Sequence, residues 1–363
     1  MRTSSIAAVL VVMAGPLSGC EEEDATPPAV VPSGSAVAAP TPTKEPPESP
    51  APPPAEREDL PNPDHVAETL AEQRDAMVAR MIAMGVLDAE DEAALRAIFD
   101  RSRILGQGNP DAVDHPMTRQ QCMDRRKQAG VREPVEPVCG APFMTPIYDP
   151  ATQKKEDATV CIDRYEFPSM PCDYPVTWVT TKEATEICGL LGKRVCDAHE
   201  REGACAVKVL PPEEDYYWRV PWYSQSARHN VGREILWAYG PKKDHGKCPT
   251  NSHRSKKCAT SGWRGCGSNT YPAGAFPECR SAFGVYDQHG NAAEHMLLPL
   301  KESDLGHKGG TGVAEMKGSW FIFHHYEAHK DDCRWRAPSW HDDEGLRHAN
   351  YHLGFRCCKD VGG

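Results

Sequence analysis

Fourteen cysteines between Cys122 and Cys358 constrain this chain more than any other feature, because so much sulfur has to be placed before a core can be drawn. In an oxidising compartment an even number of cysteines reads as a disulfide framework, here of up to seven bridges. Each bridge stabilises by about 2 to 4 kcal/mol, largely by restricting the unfolded chain. Spacing does not fix the connectivity. The loop from Cys196 to Cys205 is short and cheap to close, whereas adjacent Cys357 and Cys358 should reach separate partners, since a bond between neighbours strains the peptide. In a reducing compartment the thiols would instead suit zinc, but the chain has no paired CxxC spacing.

The N-terminus favours the oxidising compartment. Residues 1–19 carry one arginine, an apolar run from Ile6 to Ala14 and then Leu17-Ser18-Gly19 before Cys20, which is the pattern of an export leader. The run is too short to span a bilayer. Leu17 to Cys20 resembles the bacterial lipobox, which implies a diacylated Cys20 held on a membrane at about 0.8 kcal/mol per buried CH₂. A cleaved leader without lipid is the other reading. Glu21, rather than aspartate, follows the cysteine, so the expected location is the cell envelope, at the outer membrane, facing the periplasm or the cell surface. Residues 20–63 form a linker in which thirteen of the 43 positions from Glu21 to Pro63 are proline. It cannot bury a core and reads as a disordered spacer with a reach of up to ~130 Å at ~3.1 Å per residue.

The formal charge of −11 is concentrated in the linker and in the segment after it, which leaves the cysteine-bearing part almost neutral. No basic footprint for nucleic acid is present. The expected partners are a membrane, through the anchor, and a protein or glycan in the envelope.

Residues 64–107 read as a helical hairpin. Val66, Leu70, Met77, Val78, Met81 and Ile82 share one helix face that stops at Gly85. Asp88 then caps a second helix, from Ala89 to Ser102, with Leu95, Ile98 and Phe99 on its apolar side. The pair packs either on the rest of the chain or on a partner. Residues 108–159 look like an irregular, cysteine-bearing arm. Within 160–363, Asp197 to Glu200 has capping-box spacing and should open a helix, while Tyr216 to Gly274 reads as long loops.

The most informative run is Ala282 to His295, in which Phe283, Val285 and Tyr286 are β-formers and Gly290-Asn291 tolerates positive φ. Asp287 and Glu294 flank that turn. Paired carboxylates beside free carbonyls suit a hard cation such as calcium, although a solvated surface turn is the ordinary alternative. The run resembles the FGLYDMxGNVWEW signature of the sulfatase-modifying factor, or formylglycine-generating enzyme, family. Pro175 to Val179 with Cys188 and Leu191 to Val195, then Lys317 to Trp320, then Leu353 to Arg356, follow in the family's order, and Val160 to Glu166 fits its opening strand. The resemblance spans roughly Cys161 to Lys359. It implies an α+β, C-type-lectin-like fold with little regular secondary structure. It also implies a structural calcium site with Asp287 and Glu294 bound through side chains and Gly290 and Ala292 through carbonyls.

In the family, two cysteines shortly before the closing motif hold copper(I), and oxygen converts a substrate cysteine to formylglycine. Soft thiolates suit that ion. Here Cys333 falls at the first of those positions and Pro338 at the second, and the two tryptophans of the signature are Ala293 and His295. The resemblance thus implies a lipid-anchored, non-catalytic binding or structural module without the copper pair. The alternative is a copper- or iron-dependent oxidase acting on a cysteine or peptide. Its candidate catalytic residue is Cys333, with a metal held by His325, His329 and Cys333 if that stretch is helical, among the histidines His324, His325, His329, His341, His348 and His352.

Overall fold

The structure is a computed structural model that describes residues 62–258 and 262–362. The expected leader 1–19, Cys20 and the linker as far as 61 lie outside the described residues. Among the described residues no helix is long and apolar enough to cross a membrane.

Helix α1, Leu70–Ala83, opens at Thr69, whose hydroxyl accepts the Glu72 N–H at 3.1 Å. Its buried side carries Met77, Val78 and Met81 as the spacing predicts, and Gly85 ends the turn at φ +71°. Val66 lies ahead of the helix and is 78% exposed, so it is not part of that face. A 3₁₀ turn at Ala89–Asp91 precedes α2, Glu92–Asp100, and the Asp88 side chain makes no capping bond. Leu95, Ile98 and Phe99 of α2 join Met77, Val78 and Met81 in one apolar cluster with Phe167, Val176, Ile187 and Phe355. Both helices therefore pack within the chain.

The stretch 108–159 is more regular than expected. Helix α3, Arg119–Gln128, has a capping box between Thr118 and Gln121. It carries almost no apolar residues. It docks instead through arginines: Arg119 Nε donates to Asp173 Oδ1 at 2.7 Å, and Arg126 Nη1 to the Gly274 carbonyl at 2.8 Å. Strand β1, Met144–Ile147, pairs antiparallel with β2, Val160–Asp163. Disulfides Cys122–Cys172 and Cys139–Cys161 fasten this stretch to the chain that follows.

Helix α4, Thr181–Leu190, and the two-residue β3, Arg194–Val195, lead to α5, Ala198–Ala206. Helix α5 begins at the predicted Asp197, whose N–H donates to Glu200 Oε2 at 2.8 Å. A single turn, α6, Pro212–Asp215, leads into the region Tyr216 to Gly274 expected to be loops, and that region holds α7, Trp222–Gly232. The buried residues of α7 are Gln225, Ser226 and His229, so hydrophobic spacing carried no sign of it. The strands β4, Ala293–Leu298, β5, Val313–Lys317, β6, Leu353–Phe355, and β7, Cys357–Asp360, complete the fold.

Two small sheets result, one antiparallel in the order β1-β2-β7-β3 and one in the order β5-β4-β6 with β4 and β6 parallel. All fourteen cysteines from Cys122 to Cys358 are paired. Successive side chains on a strand point to opposite faces, so Cys357 reaches Cys188 in one apolar cluster and Cys358 reaches Cys196 in another. Cys196 and Cys205 are not bonded to each other. The short closure is Cys258–Cys266, eight residues apart.

Candidate functional site

The run Ala282 to His295 turns back on itself with Asp287 at φ +57°, Gly290 at +87° and Asn291 at +57°. It is not a solvated surface turn, because Asp287 is 1% exposed and Glu294 is 0%. Glu294 spends both oxygens on guanidinium groups. Arg356 Nε donates to Oε1 at 2.6 Å and Arg201 Nε to Oε2 at 3.0 Å. The Arg201 Nη2 also donates to the Gln288 carbonyl at 2.5 Å, and Arg356 Nη2 to the Tyr286 carbonyl at 2.9 Å. The signature glutamate and the closing Leu353-to-Arg356 run are thus two halves of one ion pair. Lys317 to Trp320 supports them: a Cβ at Gly318 would meet Arg201 Nη2 at 2.5 Å, and Ser319 Oγ accepts the Gly290 N–H at 2.8 Å.

Two further carboxylates lie in this buried region. Glu166 accepts from Asn291 Nδ2 at 2.6 Å and from the Ala292 N–H at 2.8 Å. Burial, then the Asp287 and Glu294 charges, push its pKa well above the usual carboxylate range. Asp287 Oδ2 accepts the Gly274 N–H at 2.5 Å, and burial pushes this group up to about 7. Calcium takes six to eight oxygens. Among Asp287 and Glu294, Asp287 Oδ1 is the one carboxylate oxygen without a partner, and two arginines already supply positive charge to the loop. The set Asp287, Gly290, Ala292 and Glu294 therefore does not fit a calcium cage.

Cys333 is bonded to Cys205 with an S–S distance of 1.99 Å. His289 lies against the bridge, its Nε2 3.3 Å from Cys205 Sγ and 3.9 Å from Cys333 Sγ. That nitrogen also accepts the Ala238 N–H at 2.9 Å, and burial holds the ring neutral, with a pKa pulled down to about 4. A bridged sulfur offers no thiolate to a metal or a substrate. Nor is the alternative metal set assembled. The stretch from Phe321 to Cys333 contains no helix, His325 is exposed, and His329 Nδ1 bonds the Lys330 carbonyl at 2.7 Å. Among the described residues, His325, His329 and Cys333 do not bring three ligand atoms within 4.8 Å of one another.

Four of the six clustered histidines do converge, but on a cavity, and His324 and His325 are not among them. Two cavities among the described residues reach about 710 Å³. One is lined by polar groups that already have partners, such as Arg194 with Glu200. The other lies under β5, against the chain from Trp335 to Asp343, and takes in His295, His329, His341, His348 and His352 with Trp320, Trp335 and Trp340. Among the described residues, six of the fifteen unpartnered buried side-chain polar atoms belong to residues that line it, so unspent hydrogen-bonding capacity is concentrated around it. They are both oxygens of Glu315, Asp342 Oδ1, His329 Nε2, His352 Nδ1 and Trp320 Nε1.

The model of the sulfatase-modifying factor enzyme 1-like domain matches residues 128–361. The chain belongs to that family. No curated protein matches it. The family match begins upstream of the Cys161 expected from the motifs and so takes in β1 and the Cys139–Cys161 bridge. In this sulfatase-modifying-factor domain the residue at the first copper position is bridged, and Pro338, at the second, lines the cavity instead. His295, where the family signature has tryptophan, also lines it, with Nε2 on the Val179 carbonyl at 2.9 Å and Nδ1 3.0 Å from the Thr181 hydroxyl. Glu166, Arg201, Glu315 and Asp342 were missed from the sequence, since single charges outside a periodic pattern carry no signal of what they face.

Proposed function

We propose that this is a non-catalytic binding module of the sulfatase-modifying-factor type, with a C-type-lectin-like architecture, held in the cell envelope through a lipid on Cys20. The Cys205–Cys333 bridge carries this reading, because it removes the thiolate at the one family copper position that keeps a cysteine. The leader, the lipobox-like Leu17 to Cys20 and the full pairing of fourteen cysteines support export to an oxidising compartment. The cavity under β5 is the binding site. Its unpartnered polar atoms are the feature of the fold that a ligand would satisfy.

The competing reading, a copper-dependent oxidase, draws on one observation: the ligand atoms of Cys205, Cys333 and His289 lie within 4.8 Å of one another. Reduction of the bridge would give a soft-metal set there. Metal analysis of protein purified without reductant, followed by an oxygen-consumption assay on a cysteine peptide, separates the two. No stoichiometric copper or iron and no peptide oxidation is the expected result. Stoichiometric copper that disappears in Cys333→Ala, together with turnover, would establish the oxidase.

A further inference from the structure

The character of the β5 cavity narrows what it can bind. Its wall holds three carboxylates, Glu315, Asp342 and Asp343, and no lysine or arginine. Glu315 is 2% exposed and neither oxygen has a hydrogen-bond partner. The nearest cations, Lys317 Nζ at 3.7 Å and Arg336 Nε at 4.0 Å from Glu315 Oε1, are beyond hydrogen-bond range. Both donate to Glu202, at 2.6 and 2.8 Å, and each also donates to a backbone carbonyl, that of Trp335 for Lys317 and that of Asp215 for Arg336.

The neutral groups have the same bias. His329 donates through Nδ1 to the Lys330 carbonyl, which makes its open Nε2 an acceptor. With the two Glu315 oxygens and Asp342 Oδ1, the lining residues carry four buried acceptor atoms without a partner against one certain donor, Trp320 Nε1–H. Burial raises the pKa of both acids, that of Asp342 to about 7, so a cation beside them would also favour their ionised forms. Flat apolar surfaces frame them. Trp335 stacks on His329 with centroids 4.7 Å apart, Trp320 stacks on His352 at 4.7 Å, and Trp340, 76% exposed, stands beside His341 at 3.8 Å. Burial lowers the pKa of His329 and His352, so these rings add no positive charge.

We propose that the cavity binds an organic cation rich in N–H groups, an amine or guanidinium on an aliphatic stem, with the charge set against Glu315 and Asp342 and the stem on the tryptophan faces. This deepens the binding-module reading and rests on it. A metal ion does not fit, because among the described residues no three histidine or carboxylate ligand atoms of this cavity lie within 4.8 Å of one another. An anion would face carboxylates, and a neutral sugar would bring no charge to pair with them.

Titration of the intact, oxidised protein at low salt, followed by tryptophan fluorescence and calorimetry, tests this with agmatine and with the blocked tripeptide acetyl-Gly-Arg-Gly-amide. The citrulline tripeptide, glucose and calcium serve as controls. Saturable binding of at least one guanidinium probe is expected, weakened roughly tenfold or more by the change to neutral citrulline. Agmatine and peptide binding equally would point to a free amine ligand, and tighter peptide binding to a side chain on a partner protein; either supports the proposal. Asp342→Asn and Trp340→Ala, both at partly or largely exposed positions, should each weaken binding about fivefold or more while the melting temperature stays put. Absence of guanidinium binding, equal affinity for citrulline or glucose, competition by calcium, or binding unchanged in both variants would each overturn it. Copper-dependent turnover would sink the module reading while leaving this titration to be judged by itself.

Discussion

Replacing Glu294 by glutamine tests whether arginines, rather than a cation, complete the signature loop. Glutamine keeps the volume and one acceptor oxygen. It also turns an NH₂ toward Arg356 or Arg201, whose Nε atoms stand 2.6 and 3.0 Å from the carboxylate in the native protein. Both guanidinium groups are at most 1% exposed, so water cannot replace the lost partner. Removing one member of a buried ion pair costs about 3 to 5 kcal/mol. At about 2 to 3 °C per kcal/mol for a domain of this size, the melting temperature should fall by roughly 6 to 15 °C. Differential scanning calorimetry without reductant, so that the seven bridges stay closed, reads this directly. The same scans on native protein with EGTA, and with added calcium, should superimpose, since a ligand bound to the native state would raise stability by mass action. A Glu294→Gln melting temperature within a degree or so of native, or a native one that EGTA lowers and calcium restores, would refute the arginine-compensated loop.

Four more outcomes follow from the structure. Burial opposes charging of His229, but the Glu202 and Asp215 carboxylates outweigh it and raise its pKa from 6.5 to about 9. The stabilisation from this group is complete below pH ~6.5 and is lost as pH rises through ~9, by up to ~3 kcal/mol; His229→Gln should flatten that alkaline limb of a melting-temperature profile. His289 and His295, both pulled down to about 4, act on the acid side, where stability is present above pH ~6.5 and is lost as pH falls toward ~4. Gly290→Ala would bring a Cβ to 2.7 Å from the Pro249 carbonyl oxygen at φ +87°, and denaturant titration should show a loss of roughly 2 to 5 kcal/mol. Replacing Cys205 and Cys333 together with alanine opens a bridge across a sequence separation of 128 residues and should cost about 4 to 5 kcal/mol in the same titration.

How far the sequence could be read depended on which force placed each element. Helix α1 and the buried side of α2 were legible because Met77, Met81, Leu95 and Phe99 recur at helical spacing and are buried for their apolar surface. The separate partners of Cys357 and Cys358 were legible from peptide strain. Helices α3 and α7 were not, because α3 docks through Arg119 and Arg126 and α7 buries Gln225, Ser226 and His229, so neither shows a hydrophobic period. The motif singles out Asp287 and Glu294, but it does not distinguish a cation loop from carboxylates buried with arginines and backbone N–H groups. Nothing local to Glu294 says that Arg201 and Arg356, 93 and 62 positions away, will reach it. The cavity was half visible: the cluster of histidines was noticed, while the Glu315 and Asp342 that give it its charge stood alone in sequence.

Peptide mapping of the non-reduced protein, with free thiols alkylated before digestion, tests the central claim most directly. A fragment in which Cys205 and Cys333 remain linked, with no alkylated Cys333, is the expected result. Recovery of Cys333 as the alkylated thiol, with Cys205 free or bonded elsewhere, would contradict it and return a reactive sulfur to the family's copper position.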